Sequence, residues 1–211
     1  MNNDYRNSKY CPKLDKVIAK KKNLQQEIEL QYPNCKDFYS VISKKKKKHR
    51  EVFAKIYNRK CAYCGVSLAI HAVFEIDHYR CKKLFTYKDD AGQINNLIYS
   101  CFNCNRNKRD FEITYQYTKL LNPDDGSIAK VFFRADNYSI QIQKGYESDK
   151  VIQAFYKKMH FNFELRRLDY LLLCMCGLYK KMTDENDKLK LAKAITLLKI
   201  RRNVFIDKGL H

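Results

Sequence analysis

Residues 61–108 read CAYCGVSLAIHAVFEIDHYRCKKLFTYKDDAGQINNLIYSCFNCNRNK. Two Cys-x-x-Cys knuckles, Cys61/Cys64 and Cys101/Cys104, bracket the pair Asp77-His78 and the asparagines Asn95 and Asn96. Four thiolates suit a tetrahedral zinc ion, and the tight turn inside each knuckle lets both of its sulfurs face one ion. A site closed by four sulfurs leaves no open position, so this zinc is expected to be structural, and any chemistry needs a second site.

Residues within and just after the bracketed segment offer a second site. Asp77 and His78 lie between the knuckles, and Asn105 follows the fourth cysteine directly. Carboxylate and amide oxygens are hard ligands, suited to Mg²⁺ (or Mn²⁺) with positions left for water and phosphate oxygens. An imidazole beside such an ion can take a proton from water, because its ordinary pKa is near neutrality. The ion would stabilise charge on the phosphorus and the leaving oxygen. Val73 to Tyr79 is rich in β-formers and reads as a strand, Thr86 to Gln93 as a loop, and Leu97 to Tyr99 as a second strand. Asn105 is expected to open a helix with its side chain at the cap position. Neighbouring strand residues point to opposite faces, so Asp77 and His78 serve one site only if the strand ends, bulges or twists there. Glu75 shares a strand face with Asp77 and reads as a supporting group or plain surface.

Cys61-x-x-Cys64-Gly65, Asp77-His78, Asn96-Leu97, Cys101-x-x-Cys104-Asn105 and Lys108 together resemble the motif of the cysteine-bearing HNH endonucleases. The resemblance covers about a quarter of the chain. It implies an α+β fold built on a ββα-metal finger with a four-cysteine zinc site. It also implies His78 as general base, Asp77 and Asn105 as ligands of a catalytic divalent ion, and Asn96 as the residue that steadies the histidine loop. Many family members carry histidine where Asn105 stands. His78-Tyr79-Arg80-Cys81-Lys82 is similar to the corresponding run in nuclease subunits of bacterial anti-phage systems of the Septu type, with Cys81 where that group has proline. That finer resemblance implies an ATPase partner.

Around this segment the chain is strongly basic. Its 211 residues carry 42 Lys and Arg against 23 Asp and Glu, a net charge of +19, and such a surplus favours polyanions. Nucleic acid is the partner expected, DNA ahead of RNA. Arg80, Lys82, Lys83, Lys108 and Arg109 are expected to contact phosphates. The run Lys44 to Lys48 reads either as a phosphate-gripping face or as a solvated helix face. Nine cysteines, four of them in tight pairs, suit a reducing compartment. The first residues have no apolar run of the signal-peptide kind, and Tyr170 to Tyr179 is about half of a membrane span. A cytoplasmic protein with no membrane partner is expected.

Three regions are expected: a helical region over 1–60 with the basic run, the metal module over 61–112, and a hairpin plus helices over 113–211. Leu14 to Leu30 and Phe38 to Tyr57 carry helix-like apolar spacing on either side of a break at Pro33. Lys130 to Arg134 and Tyr138 to Gln143 read as a hairpin, and three apolar stripes follow between Val151 and Ile200. Three functions fit these features. The first is a metal-dependent nuclease. The second is a zinc-stabilised treble-clef module that binds nucleic acid without cutting it. The third is a nuclease subunit active only with a partner ATPase docked on the C-terminal helices.

Overall fold

The computed structural model describes residues 4–45 and 47–208. The first helix, α1 (Val17–Gln31), turns Val17, Lys21, Leu24 and Ile28 inward, the i, i+4, i+7, i+11 stripe of a core-facing helix. It stops at Tyr32, whose N–H bonds to Ile28 O, with Pro33 immediately after. α2 (Phe38–Ser40) starts at Asp37, whose carboxylate accepts from Ser40 N–H as an N-cap. It runs through a π-helical turn, Val41–Lys45, toward α3 (Lys47–Ile56). The side chains of Lys44 to Lys47 lie outside the described residues. Lys48 is exposed and pairs with Glu27 at 2.9 Å.

β1 (Phe74–His78) and β2 (Leu97–Cys101) form an antiparallel pair in unbroken register, from Phe74 opposite Cys101 to His78 opposite Leu97. The connection between them holds the short helix α4 (Lys88–Ala91). β2 passes without a loop into α5 (Phe102–Lys108), which completes the strand–strand–helix order. The expected Asn105 cap is not what forms. Cys101 stands at the N-cap and the second knuckle is the first turn of α5, so Asn105 lies within the helix and its amide is left for side-chain partners.

The chain continues through α6 (Tyr115–Thr118) and α7 (Ile128–Val131) to a second hairpin, β3 (Phe132–Arg134) with β4 (Ile140–Ile142). Lys130 and Val131, read as strand from sequence, belong to α7. Three helices close the chain: α8 (Lys150–Lys158), capped by Asp149, α9 (Glu164–Tyr179) and α10 (Glu185–Lys208), the last two packed along one another. The core is continuous from α1 and α3 through the two hairpins to α8. Tyr5, Leu24, Phe53, Tyr63, Ile98, Phe132 and Phe155 all belong to it. Phe132 is its hub, with ring centroids at 5.3 Å from Phe161 and 6.1 Å from Phe155. No helix among the described residues is long and apolar enough to cross a membrane.

Candidate metal centre and active site

The Sγ atoms of Cys61, Cys64, Cys101 and Cys104 all lie within 4.8 Å of one another, and all four residues are buried. Cys64 and Cys101 sulfurs are 3.9 Å apart. Four sulfurs at the zinc bonding distance would stand about 3.8 Å from each other, so the donor set fits a structural zinc. Local backbone bonds shape the first knuckle: Gly65 N–H donates to Cys61 O at 2.9 Å, and Cys61 N–H to Val66 O at 2.8 Å. Gly65 has φ +78°, and a Cβ there would meet Arg6 O at 2.3 Å, so glycine is needed for both conformation and space. Arg6 straps this knuckle from outside, donating to Ala62 O and Pro123 O at 2.7 Å each and pairing with Asp4. On the other side, Arg166 of α9 brings a buried guanidinium to 4.0 Å from Cys101 Sγ. A positive group beside a thiolate offsets charge that one zinc leaves uncompensated.

His78 ends β1. Its ring packs against Tyr39 of α2 with centroids 4.5 Å apart. Burial, then the ammonium groups of Lys82 and Lys108, lower its pKa to about 4, so the imidazole is neutral near pH 7. Asn96 binds the residue two positions on: its Oδ1 accepts from Arg80 N–H at 2.9 Å, and its Nδ2 donates to Arg80 O at 3.1 Å and Ala91 O at 2.9 Å. This fixes the chain just after the histidine.

Asp77 faces the opposite way. Its Oδ1 accepts from Lys108 Nζ at 3.1 Å and its Oδ2 from the Tyr63 hydroxyl at 2.7 Å. Burial pushes its carboxyl above the ordinary range, opposed by these two donors. Asn105 Nδ2 donates to Glu75 Oε2 at 2.5 Å, and Arg106 pairs with the same carboxylate at 3.0 Å. Glu75 and Asp77 thus both meet α5, as alternation along a strand demands, while His78 meets Tyr39. The strand ends at His78 without a bulge. Among the described residues the four cysteines are the one cluster of three or more cysteine, histidine or carboxylate ligands. Both oxygens of Asp77 are engaged and Asn105 is turned to Glu75, so in this geometry the harder donors are not assembled around a second ion.

The basic residues expected at phosphate divide into distinct environments. Lys82 is exposed, with its ammonium 5.0 Å from the centre of the Tyr39 ring. Arg109 is exposed at the end of α5. Lys83 is already paired with Glu112 at 2.7 Å. Arg80 lies over the Phe85 ring, its buried Nε without a hydrogen-bond partner. Lys108, expected at phosphate, is instead fully buried and bound to Asp77 and to His78 O at 2.8 Å, so it serves the interior and offers nothing to an outside phosphate. Tyr39, Tyr63, Arg6 and Arg166 shape the site without any local sequence signal, since their partners lie far away along the chain.

Residues 61–111 match the HNH endonuclease family model. That segment begins at the first knuckle cysteine and ends just past α5, so the HNH module coincides with the ββα unit and its four sulfurs. It spans about a quarter of the chain. No curated protein and no solved structure matches the chain significantly. The HNH module supports a nuclease of that type, which binds nucleic acid and uses a divalent metal.

Proposed function

We propose that this protein is an endonuclease that hydrolyses phosphodiester bonds of DNA with His78 as general base. The observation that carries the reading is the neutral His78 at the end of β1 inside the HNH module, with Asn96 clamping the residues that follow it. A neutral imidazole has a lone pair to take the proton of an attacking water. Asn96 keeps the loop from drifting, so the base is held where the water must sit. Lys82 and Arg109, both exposed, are assigned to the phosphate backbone together with Arg80, and Lys83 after release from Glu112. Asp77 and Asn105 are assigned to a divalent ion, Mg²⁺ or Mn²⁺, that would supply charge stabilisation at phosphorus. The proposed setting is anti-phage defence or restriction in a bacterial cytoplasm, on the resemblance of the His78 to Lys82 run to Septu-type nuclease subunits.

A second reading is favoured by one feature. Leu189, Leu197 and Ile200 of α10 are all more than half exposed, and apolar groups in that number on one helix suit a protein partner. Under that reading the chain cuts only when a partner such as an ATPase is docked on α9 and α10. Cleavage of supercoiled plasmid by purified wild type and His78→Ala, with and without Mg²⁺ or Mn²⁺, tests both. Metal-dependent nicking by wild type alone supports an autonomous nuclease. Tight DNA binding with no cleavage under any metal supports the partner-dependent subunit or a zinc-stabilised binding module.

A further inference from the structure

Lys108 sits where a cation belongs. Its ammonium is enclosed, 3.1 Å from Asp77 Oδ1 and 2.8 Å from the His78 carbonyl. One carboxylate oxygen and one backbone carbonyl are also the ligand types that hard divalent cations take. The remaining oxygen of Asp77 is held by Tyr63, so the carboxylate cannot turn away and offer an unused lone pair without losing that bond. Two cations at contact distance from the same buried oxygen repel strongly in a poorly polarisable interior. Only one of them can hold Asp77.

We propose that Lys108 is a built-in competitor of the divalent ion: its ammonium neutralises Asp77 in metal-free protein and must be displaced before the ion can bind there. The proposal rests on the assignment of Asp77 as a ligand of that ion. Lys108 is the last residue of α5, and Arg109 turns the chain away with φ 45°. Its ammonium rides on a flexible four-carbon stem, so it can withdraw without unwinding the helix. Metal-free protein then avoids a bare buried carboxylate, and the ion binds more weakly than its ligands alone would allow.

The test is a Mn²⁺ titration of the zinc-loaded full chain, with free Mn²⁺ read by electron paramagnetic resonance and the melting temperature recorded alongside. Wild type, Lys108→Met, Asp77→Asn and the double variant are compared. Lys108→Met is expected to bind Mn²⁺ on the order of tenfold more tightly than wild type, because a buried carboxylate stripped of its partner is strongly destabilised until another cation arrives. Its melting temperature should also rise more with Mn²⁺ than that of wild type. Equal or weaker binding by Lys108→Met, with Asp77→Asn losing the ion, overturns the competition and leaves the ligand assignment standing. Unchanged Mn²⁺ binding in Asp77→Asn overturns both. Should Lys108→Met not fold, Lys108→Gln, which keeps a hydrogen-bond donor but no charge, carries the same comparison.

Discussion

One side chain of α9 ties the metal knuckle to the segment that precedes that helix: Arg166 donates to Met159 O at 3.0 Å while its other nitrogen lies 4.0 Å from Cys101 Sγ. The four-sulfur centre is therefore not self-contained within the HNH module. Arg166→Met is expected to weaken zinc retention by about 10- to 100-fold, the usual cost of removing a group that supports a ligand. Competition with a chromogenic chelator measures this. Retention equal to wild type would show that the contact is incidental.

Zinc itself should be stoichiometric and structural. One ion per chain is expected by elemental analysis, and Cys61→Ser or Cys104→Ser should lose both the ion and the cooperative unfolding transition, because metal affinity here is folding free energy. Folded, zinc-free protein would contradict this.

His78→Ala should lower the cleavage rate by about 10²- to 10⁴-fold, the range for loss of a general base. Zinc content and melting temperature should stay close to wild type, since the ring's described contact is one face against Tyr39. A variant that cuts at the wild-type rate would remove His78 from the chemistry.

Lys21 and Asp124 form an ion pair at 2.7 Å with both side chains 4% exposed, and Lys21 also bonds to Leu97 O at 2.9 Å. Breaking a buried pair from one side leaves the other charge stranded. Lys21→Met should cost about 3 kcal/mol in denaturant unfolding, and the double variant Lys21→Met/Asp124→Leu less than the sum of the single losses. Additive losses would show that the two do not act as a pair.

DNA affinity should fall steeply with salt. Lys82→Ala should reduce the slope of log affinity against log salt by about 1. Lys83→Ala should reduce it by less, because Glu112 already balances that ammonium. Equal effects of the two variants would show that the Glu112 pair does not persist on DNA.

The parts of this fold that are legible in the sequence are those written in local pattern. Cysteine spacing announces the sulfur site, β-formers announce the strand up to His78, and the turn after Asn122 announces a break before the second hairpin. The less legible parts depend on partners distant in the chain. Lys108 reads as a phosphate contact and nothing in the local pattern marks Lys21, yet each ammonium is held inside by an aspartate and a backbone carbonyl oxygen from elsewhere in the fold. The orientation of Asp77 is hidden for the same reason, because Tyr63 and Lys108 set it, and neither is its neighbour in sequence. Asn105 looks like a cap because asparagine favours caps. The knuckle overrides that preference by forcing the helix to start at Phe102.

Arg6 reaches carbonyls 56 and 117 residues further along the chain. During synthesis, the turn around Gly65 therefore emerges long before Pro123, the second anchor of the strap that covers it, and Arg166 emerges later still. Long-range closure of this kind is slow compared with local helix formation. A nascent chain halted near residue 111 would hold all four sulfurs while lacking Arg166 and the second anchor of the Arg6 strap. The ribosome thus releases a finished HNH segment well before it releases a finished HNH centre, and the delay is set by residues that take no part in holding the metal.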